Sequence, residues 1–187
     1  MEGPVCLREP ASRRSLLISF RESFLAQYPI YEEVSLKNVI ALRGKSRLGK
    51  SQTIRTVVEM LAEKHPETSV EHNQTTKVDV RVVLTINGLK IGIESQGDPN
   101  RLKESLDFFV KIECDVIVCA TRTSGATVNA VNALQGFDVH WLEQQPKSQP
   151  HEQVLRSLIQ AREIVDKIEA LIAAREPVKV LSRSAGA

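Results

Sequence analysis

Apolar and polar positions along the chain change their period several times, and each change marks an element. Val39-Ile40-Ala41-Leu42, inside Lys37 to Arg43, is a short unbroken apolar run of the kind that forms a strand buried on both faces. From Lys50 to Lys64 the apolar positions Ile54, Val57, Val58 and Leu61 recur at helical spacing. Pro66 closes that helix region, because proline has no amide hydrogen and restricts the residue before it. Val78, Val80, Val82, Leu84 and Ile86 then alternate with more polar neighbours, Asn87-Gly88 follows, and the apolar pattern resumes from Leu89 to Ile93. This predicts a β-hairpin on a tight turn. Beyond it, Asn100 to Lys111 predicts a helix through Leu102, Leu106, Phe109 and Val110. Asp115 to Ala120 predicts a strand, Ala126 to Leu134 a helix, and Phe137 to Leu142 a last strand.

Strands that alternate with helices predict an α/β protein. The expected arrangement is a three-layer α/β/α fold on a mostly parallel sheet, with one antiparallel hairpin strand and flanking N- and C-terminal helices. Residues 1–36 read as a helical leader, 37–143 as the core, 144–150 as a polar, proline-containing linker, 151–176 as an amphipathic helix, and 177–187 as a partly disordered tail. In the leader, Leu16, Leu17, Phe20, Phe24 and Leu25 fall at helical intervals with arginines opposite, which suits a helix docked on the core or a basic face for an acidic partner or membrane surface. In the C-terminal helix, Val154, Leu158, Ala161, Val165, Ile168 and Ile172 recur at steps of four and three. That stripe packs on its own domain, or on a partner protein or second copy.

Composition narrows the class without naming a partner. A chain of 187 residues fits one domain with an extension, and a formal charge of +2 does not indicate nucleic acid or a membrane surface. The apolar runs fall far short of the ~20 residues that span a bilayer, and Met1 to Glu22 lacks the apolar core of a signal peptide, so a cytoplasmic protein is expected. Cys6, Cys114 and Cys119 are too few and too unevenly spaced for a disulfide framework or a metal site, and read as buried free thiols. His65, His72, His140 and His151 are scattered.

The chemistry concentrates between the first strand and the first helix, in Gly44-Lys45-Ser46-Arg47-Leu48-Gly49-Lys50-Ser51. Two glycines let the backbone turn tightly and aim amide hydrogens into a concave nest, with the positive end of the following helix behind them. In such a nest Lys50 reaches the β- and γ-phosphates of a nucleotide, and the Ser51 hydroxyl ligates Mg²⁺. The segment resembles the Walker A motif of the P-loop NTPase superfamily, with Gly44, Gly49, Lys50 and Ser51 on its fixed positions. The resemblance implies nucleotide contacts along Gly44, Lys45, Ser46, Arg47, Leu48, Gly49, Lys50, Ser51 and Gln52. It covers the strand-loop-helix unit strongly and residues 37–142 loosely.

The hairpin makes its two strands antiparallel. The second is expected to run parallel to the P-loop strand, because a helix and another buried strand follow it. Ligands bind at the carboxyl ends of such strands, so the loops Glu94 to Asp98 and Thr121 to Gly125 are expected beside the phosphates. The superfamily usually ends a second strand with an acid that serves Mg²⁺. Ile91-Gly92-Ile93-Glu94 resembles that strand loosely, with Gly92 breaking the apolar run. Asp98 is the favoured carboxylate for the metal or for orienting water, and it doubles as a helix N-cap. Arg122 is a candidate for neutralising charge on a transferred phosphoryl group, or a plain surface arginine. Lys50, Asp98 and Arg122 are therefore the candidate catalytic residues, and Ser51, Asp98 and Glu94 the candidate metal ligands.

Other signals are missing. Thr76-Lys77-Val78-Asp79 looks like a guanine-reading motif but comes too soon after the loop and precedes a strand, and no LSGGQ-like stretch points to a transporter ATPase. The resulting expectation is Mg²⁺-dependent binding and hydrolysis of a nucleoside triphosphate, with ATP the default, by a switch or regulatory ATPase. The alternatives are a small-molecule or nucleotide kinase, with Arg81, Arg101 and Arg122 as acceptor-site candidates, and a non-catalytic nucleotide-binding module.

Overall fold

The computed structural model describes residues 37–77, 79–144 and 149–175. The predicted leader, most of the linker and the tail lie outside the described residues. The chain runs β1 (Lys37–Arg43), α1 (Lys50–Lys64), β2 (Ser69–Asn73), β3 (Arg81–Ile86), β4 (Leu89–Glu94), α2 (Pro99–Lys111), β5 (Val116–Thr121), α3 (Ala126–Asn132), β6 (Phe137–Glu143) and α4 (Pro150–Arg175). The six strands form one sheet in the order β2-β3-β4-β5-β1-β6. β4, β5, β1 and β6 pair in parallel, and β3 pairs antiparallel with β2 and β4, so β3 alone runs against the rest. The second hairpin strand is thus parallel to β1, with β5 between them.

Alternation along the central strands divides the core between the two faces of the sheet. Ile40 and Leu42 of β1 and Val116, Val118 and Ala120 of β5 join Ile54, Val57 and Leu61 of α1 and Ala161, Ile164, Val165 and Ile168 of α4. On the other side, Val39, Ala41, Ile117 and Cys119 join Leu102, Leu106 and Phe109 of α2 and Val131 of α3. A strand covered on both faces has no polar face to show, which is why Val39 to Leu42 reads as an unbroken apolar run. Cys114 and Cys119 are buried and free, and burial pushes both thiols up to about 12, so they stay protonated.

Two boundaries depart from the sequence expectation. β2 has no apolar alternation to announce it: Ser69, Val70, Glu71 and Asn73 are exposed, and the strand sits at the sheet edge with a register shift between Val70 and His72. β3 begins at Arg81, because the chain before it closes a turn in which Thr76 N donates to Asp79 O at 2.8 Å and Asp79 N donates to Thr76 Oγ1 at 2.9 Å. Val80, read as part of the alternating strand, therefore lies before it, and Val78 lies outside the described residues. The α4 stripe also divides. Its later positions are in the core, whereas Val154, Leu155, Leu158 and Ile159 are exposed. Among the described residues no helix is long and apolar enough to cross a membrane.

The hairpin turn follows its dipeptide. Asn87 at φ 48° and Gly88 at φ 77° give the two positive values that a two-residue turn requires when it matches strand twist. Gly92 has a different cause: a Cβ there would lie 2.6 Å from Cγ of Phe109, so the Phe109 ring packs directly on the β4 backbone. Gly92→Ala is expected to lower stability by about 1–3 kcal/mol through overpacking. Denaturant unfolding measures this, and Gly92→Ala combined with Phe109→Leu is expected to recover part of the loss. A neutral single variant would contradict the packing assignment.

Candidate functional site

The carboxyl ends of β1, β4 and β5 open onto a cleft of about 360 Å³. From the glycine loop between β1 and α1, and the first turn of α1, it is lined by Ser46, Arg47, Gly49, Lys50, Ser51 and Gln52, and from neighbouring loops by Ser95, Gly97, Asp98 and Arg122. Parallel pairing of β4, β5 and β1 puts three strand ends on the same edge of the sheet, which brings distant loops together. Gly44, Lys45 and Leu48 do not line the cleft: Gly44 is buried, Leu48 half-buried and Lys45 exposed. Lys50 Nζ donates to the carbonyls of Gly44 and Lys45, each at 2.7 Å, so the loop curls around its own lysine.

Gly49 at φ 91° forms the N-cap of α1 without a side-chain cap, and the first turn carries no acidic residue. The positive end of α1 thus faces the cleft with no carboxylate of its own to offset it. The next helix provides a contrast. Asp98 caps α2, its Oδ1 accepting from Asn100 N at 3.1 Å and Arg101 N at 3.2 Å. Asp98 therefore serves as helix cap and cleft lining together. Arg47 holds φ 62°, a left-handed value that a non-glycine residue adopts only when its surroundings impose it.

Charge in the cleft is unbalanced in a useful direction. The Lys50 ammonium is pushed below its ordinary range, first by burial and then by the positive charge of Arg122. Two cations that disfavour each other across one cleft have a common remedy in an anion between them. Arg122 is exposed and makes no ion pair among the described residues, while its backbone N donates to Thr127 Oγ1 at 2.9 Å and fixes the start of its loop. Thr121 Oγ1 at the end of β5 is buried without a hydrogen-bond partner among the described residues.

The Ser51 hydroxyl donates to Ser95 O at 3.2 Å, which spends its proton and leaves oxygen lone pairs for a cation. Ser51 and Asp98 line the same cleft, a pair of hard oxygen donors suited to Mg²⁺, which takes one or two protein ligands and completes its shell with phosphate and water. Among the described residues no group of three or more His, Cys, Asp or Glu forms a self-contained metal cage.

Glu94 is placed elsewhere. The pleat of β4 turns Ile91 and Ile93 toward α1, which leaves Gly92 and Glu94 on the α2 face. Glu94 is buried, its Oε1 accepting from Gln96 N at 2.7 Å and its Oε2 from Ser105 Oγ at 2.5 Å, and it does not line the cleft of Lys50 and Arg122. Among the candidate metal ligands, the structure brings Ser51 and Asp98 together and leaves Glu94 apart.

Burial raises the Glu94 carboxyl above its ordinary range, opposed by the bonds from Ser105 and Gln96 and by Arg81, and aided by Asp79. The folded protein therefore holds this proton more tightly than the unfolded chain does. The associated stability is fully present below the unfolded value and is lost as pH rises through the raised folded value. Glu94→Gln is expected to flatten the stability curve on the alkaline side of the ordinary carboxylate pKa. Denaturant melts across that window measure this, and an unchanged slope would contradict it.

Three further contributors carry no motif signal. Gln144, read as the start of a linker, is buried against Gly44 and Thr53. Its Oε1 accepts from Thr53 Oγ1 at 3.1 Å, and its Cβ would lie 2.9 Å from a Cβ at Gly44. Gln153 of α4 reaches over Gly49 and lines the cleft, and Ser95 joins the cleft to the hairpin. The continued parallel register of β6 beside β1 could have pointed to Gln144, since Glu143 pairs with Arg43 at the edge of the loop. Comparisons with protein-family models, curated proteins and solved structures found no match to this chain, so the reading of the cleft rests on its own residues.

Proposed function

We propose that this protein is a P-loop nucleoside triphosphatase on a three-layer α/β/α fold, which binds Mg²⁺ and a nucleoside triphosphate, ATP by default, in the cleft of Gly44 to Ser51. The observation that carries this reading is the convergence of the buried Lys50 and of Arg122 on a cleft that also holds the glycine-capped end of α1. Backbone amides of the loop bind the phosphates, and Lys50 moves from the carbonyls of Gly44 and Lys45 to phosphate oxygens. Arg122 stabilises negative charge on the terminal phosphoryl group. Mg²⁺, when bound, neutralises charge shared by the β- and γ-phosphate oxygens, with Ser51 and Asp98 as the residues to hold it.

The α4 contact gives this reading a regulatory form. Gln153 touches the loop, and the adjacent exposed residues Val154, Leu155, Leu158 and Ile159 suit a protein partner or a second copy of the chain. Nucleotide that displaces Gln153 would change how this helix is presented, as expected of a switch. Turnover tests the assignment. Phosphate release from Mg-ATP by the full chain is expected to fall about a hundredfold in Arg122→Ala while nucleotide affinity changes little. Equal rates in the two proteins would remove Arg122 from the chemistry, and binding without release would favour a non-catalytic module.

A further inference from the structure

The loop between β4 and α2 borders two hollows. Gly97 and Asp98 line the phosphate cleft, whereas Gln96 lines a second hollow of about 280 Å³ with Gln74, Thr76, Asp79, Arg81 and Arg101. Its volume lies just under the roughly 300 Å³ at which small-molecule pockets begin, which suits a ligand of few atoms.

Hydrogen-bonding capacity in this hollow is weighted toward donors. Arg81 is held in place, its guanidinium 5.2 Å from the centre of the Phe108 ring and its Nη1 3.1 Å from Glu104 Oε1, yet its Nε is buried without a partner among the described residues. An unspent buried N–H on a charged group is costly and keeps the guanidinium short of acceptors, and what a ligand in the hollow meets is the part of Arg81 that lines it, together with Arg101. Arg101 stands at the same hollow and makes no ion pair among the described residues. Both oxygens of Glu94, the buried carboxylate at this hollow, already accept from Gln96 N and Ser105 Oγ. Asp79 is the other acid at the hollow.

We propose that this hollow is a second ligand site, taking a small organic oxyanion between Arg81 and Arg101, with a hydroxyl or amino group of the same ligand donating to Asp79. A phosphate monoester or a carboxylate supplies the oxyanion, since guanidinium groups bind both in the same forked manner. The site stands on its own geometry, and it deepens the nucleotide reading by giving the cleft a neighbour for a phosphoryl acceptor or an effector. Ser95 joins the two. Its carbonyl accepts from Ser51 Oγ at 3.2 Å, its N donates to Val80 O at 2.9 Å, and its Oγ accepts from Val80 N at 2.7 Å.

The test uses the full chain saturated with Mg²⁺ and a non-hydrolysable ATP analogue, titrated with glycerol phosphate, with malate, and with glycerol as the uncharged control. NMR follows the arginine Nε–H signals and the glutamine side-chain amides. Glycerol phosphate or malate is expected to move the signals of Arg81, Gln74 and Gln96, and glycerol to leave them in place. Tighter binding of one anion assigns the class. Arg101→Ala, at an exposed position, is expected to weaken that binding at least about tenfold while leaving affinity for the analogue unchanged. The proposal is overturned if neither anion moves Arg81, if the shifts stay within Gly44 to Ser51, or if Arg101→Ala binds as tightly as the parent. Failure of the analogue to bind would count against the nucleotide reading alone, because the Arg81 signals still report on the second hollow.

Discussion

Lys50→Ala is expected to weaken binding of Mg-ATP by at least about a hundredfold, close to 2.8 kcal/mol, while the fold survives. The ammonium is the buried cation of the cleft, and the charge-assisted bonds to phosphate proposed for it have no replacement in an alanine. In the free protein its partners are the carbonyls of Gly44 and Lys45, and Lys45 lies at the exposed rim where water can take over. Loss of Lys50 also removes the repulsion from Arg122. Unfolding free energy should therefore change by no more than about 1–2 kcal/mol, far less than the drop in affinity would suggest for a collapsed site. Calorimetric titration paired with thermal unfolding reads both quantities. A variant that keeps parental affinity would remove the loop of Gly44 to Ser51 from the proposed nucleotide binding.

Gly49→Ala is expected to damage stability and binding together. A side chain at φ 91° carries a backbone penalty of about 1–3 kcal/mol, and the new methyl group would run into the Gln153 amide. These two costs separate experimentally. Gln153 is the far end of a flexible side chain and can swing aside, whereas the backbone torsion at the N-cap of α1 cannot relax without breaking the loop. Gly49→Ala is therefore expected to lower Tm by about 2–4 °C for each kcal/mol lost, and adding Gln153→Ala should return only a small part. Nucleotide affinity should fall at least about tenfold, because the methyl group projects toward the cleft. Full rescue by Gln153→Ala would assign the effect to the contact with α4 and not to the loop torsion.

The contrast between Gly49 and Gln153 also shows which parts of this site can be read from a sequence. Gly49, Lys50 and Ser51 line the cleft through the local backbone path of one loop, so spacing alone singles them out as candidates. Asp98 and Arg122 were legible at one remove, because a parallel sheet carries the ends of β4 and β5 to the same edge as β1. Gln144 and Gln153 were not legible. Each is a single polar residue whose role depends on where β6 and α4 come to rest against the loop, and no local pattern encodes that position.

Glu94 marks the limit of the strand-end argument. Its place in the chain fits an acid at the end of a strand, but the two-residue pleat decides which face it occupies, and Phe109 packing on Gly92 shares that face. The same periodicity hides β2 and blurs the start of β3. β2 is a mostly polar edge strand without alternation, and the alternation before β3 runs on through the turn of Thr76 to Asp79. Elsewhere, the central strands follow their hydrophobic patterns closely, and the helices do so apart from Val110 and the first turns of α4, where Val154 and Leu158 are exposed. Burial on both faces leaves little choice of residue.

The most direct test is a titration of the isotopically labelled full chain with Mg²⁺ and a non-hydrolysable ATP analogue, followed through backbone amides. Binding in the proposed cleft predicts shifts concentrated at Gly44 to Gln52, Ser95, Gly97, Asp98, Arg122 and Gln153, and their loss in Lys50→Ala. Saturable binding that leaves the amides of Gly44 to Ser51 unmoved, or that persists undiminished in Lys50→Ala, would contradict the assignment of this cleft.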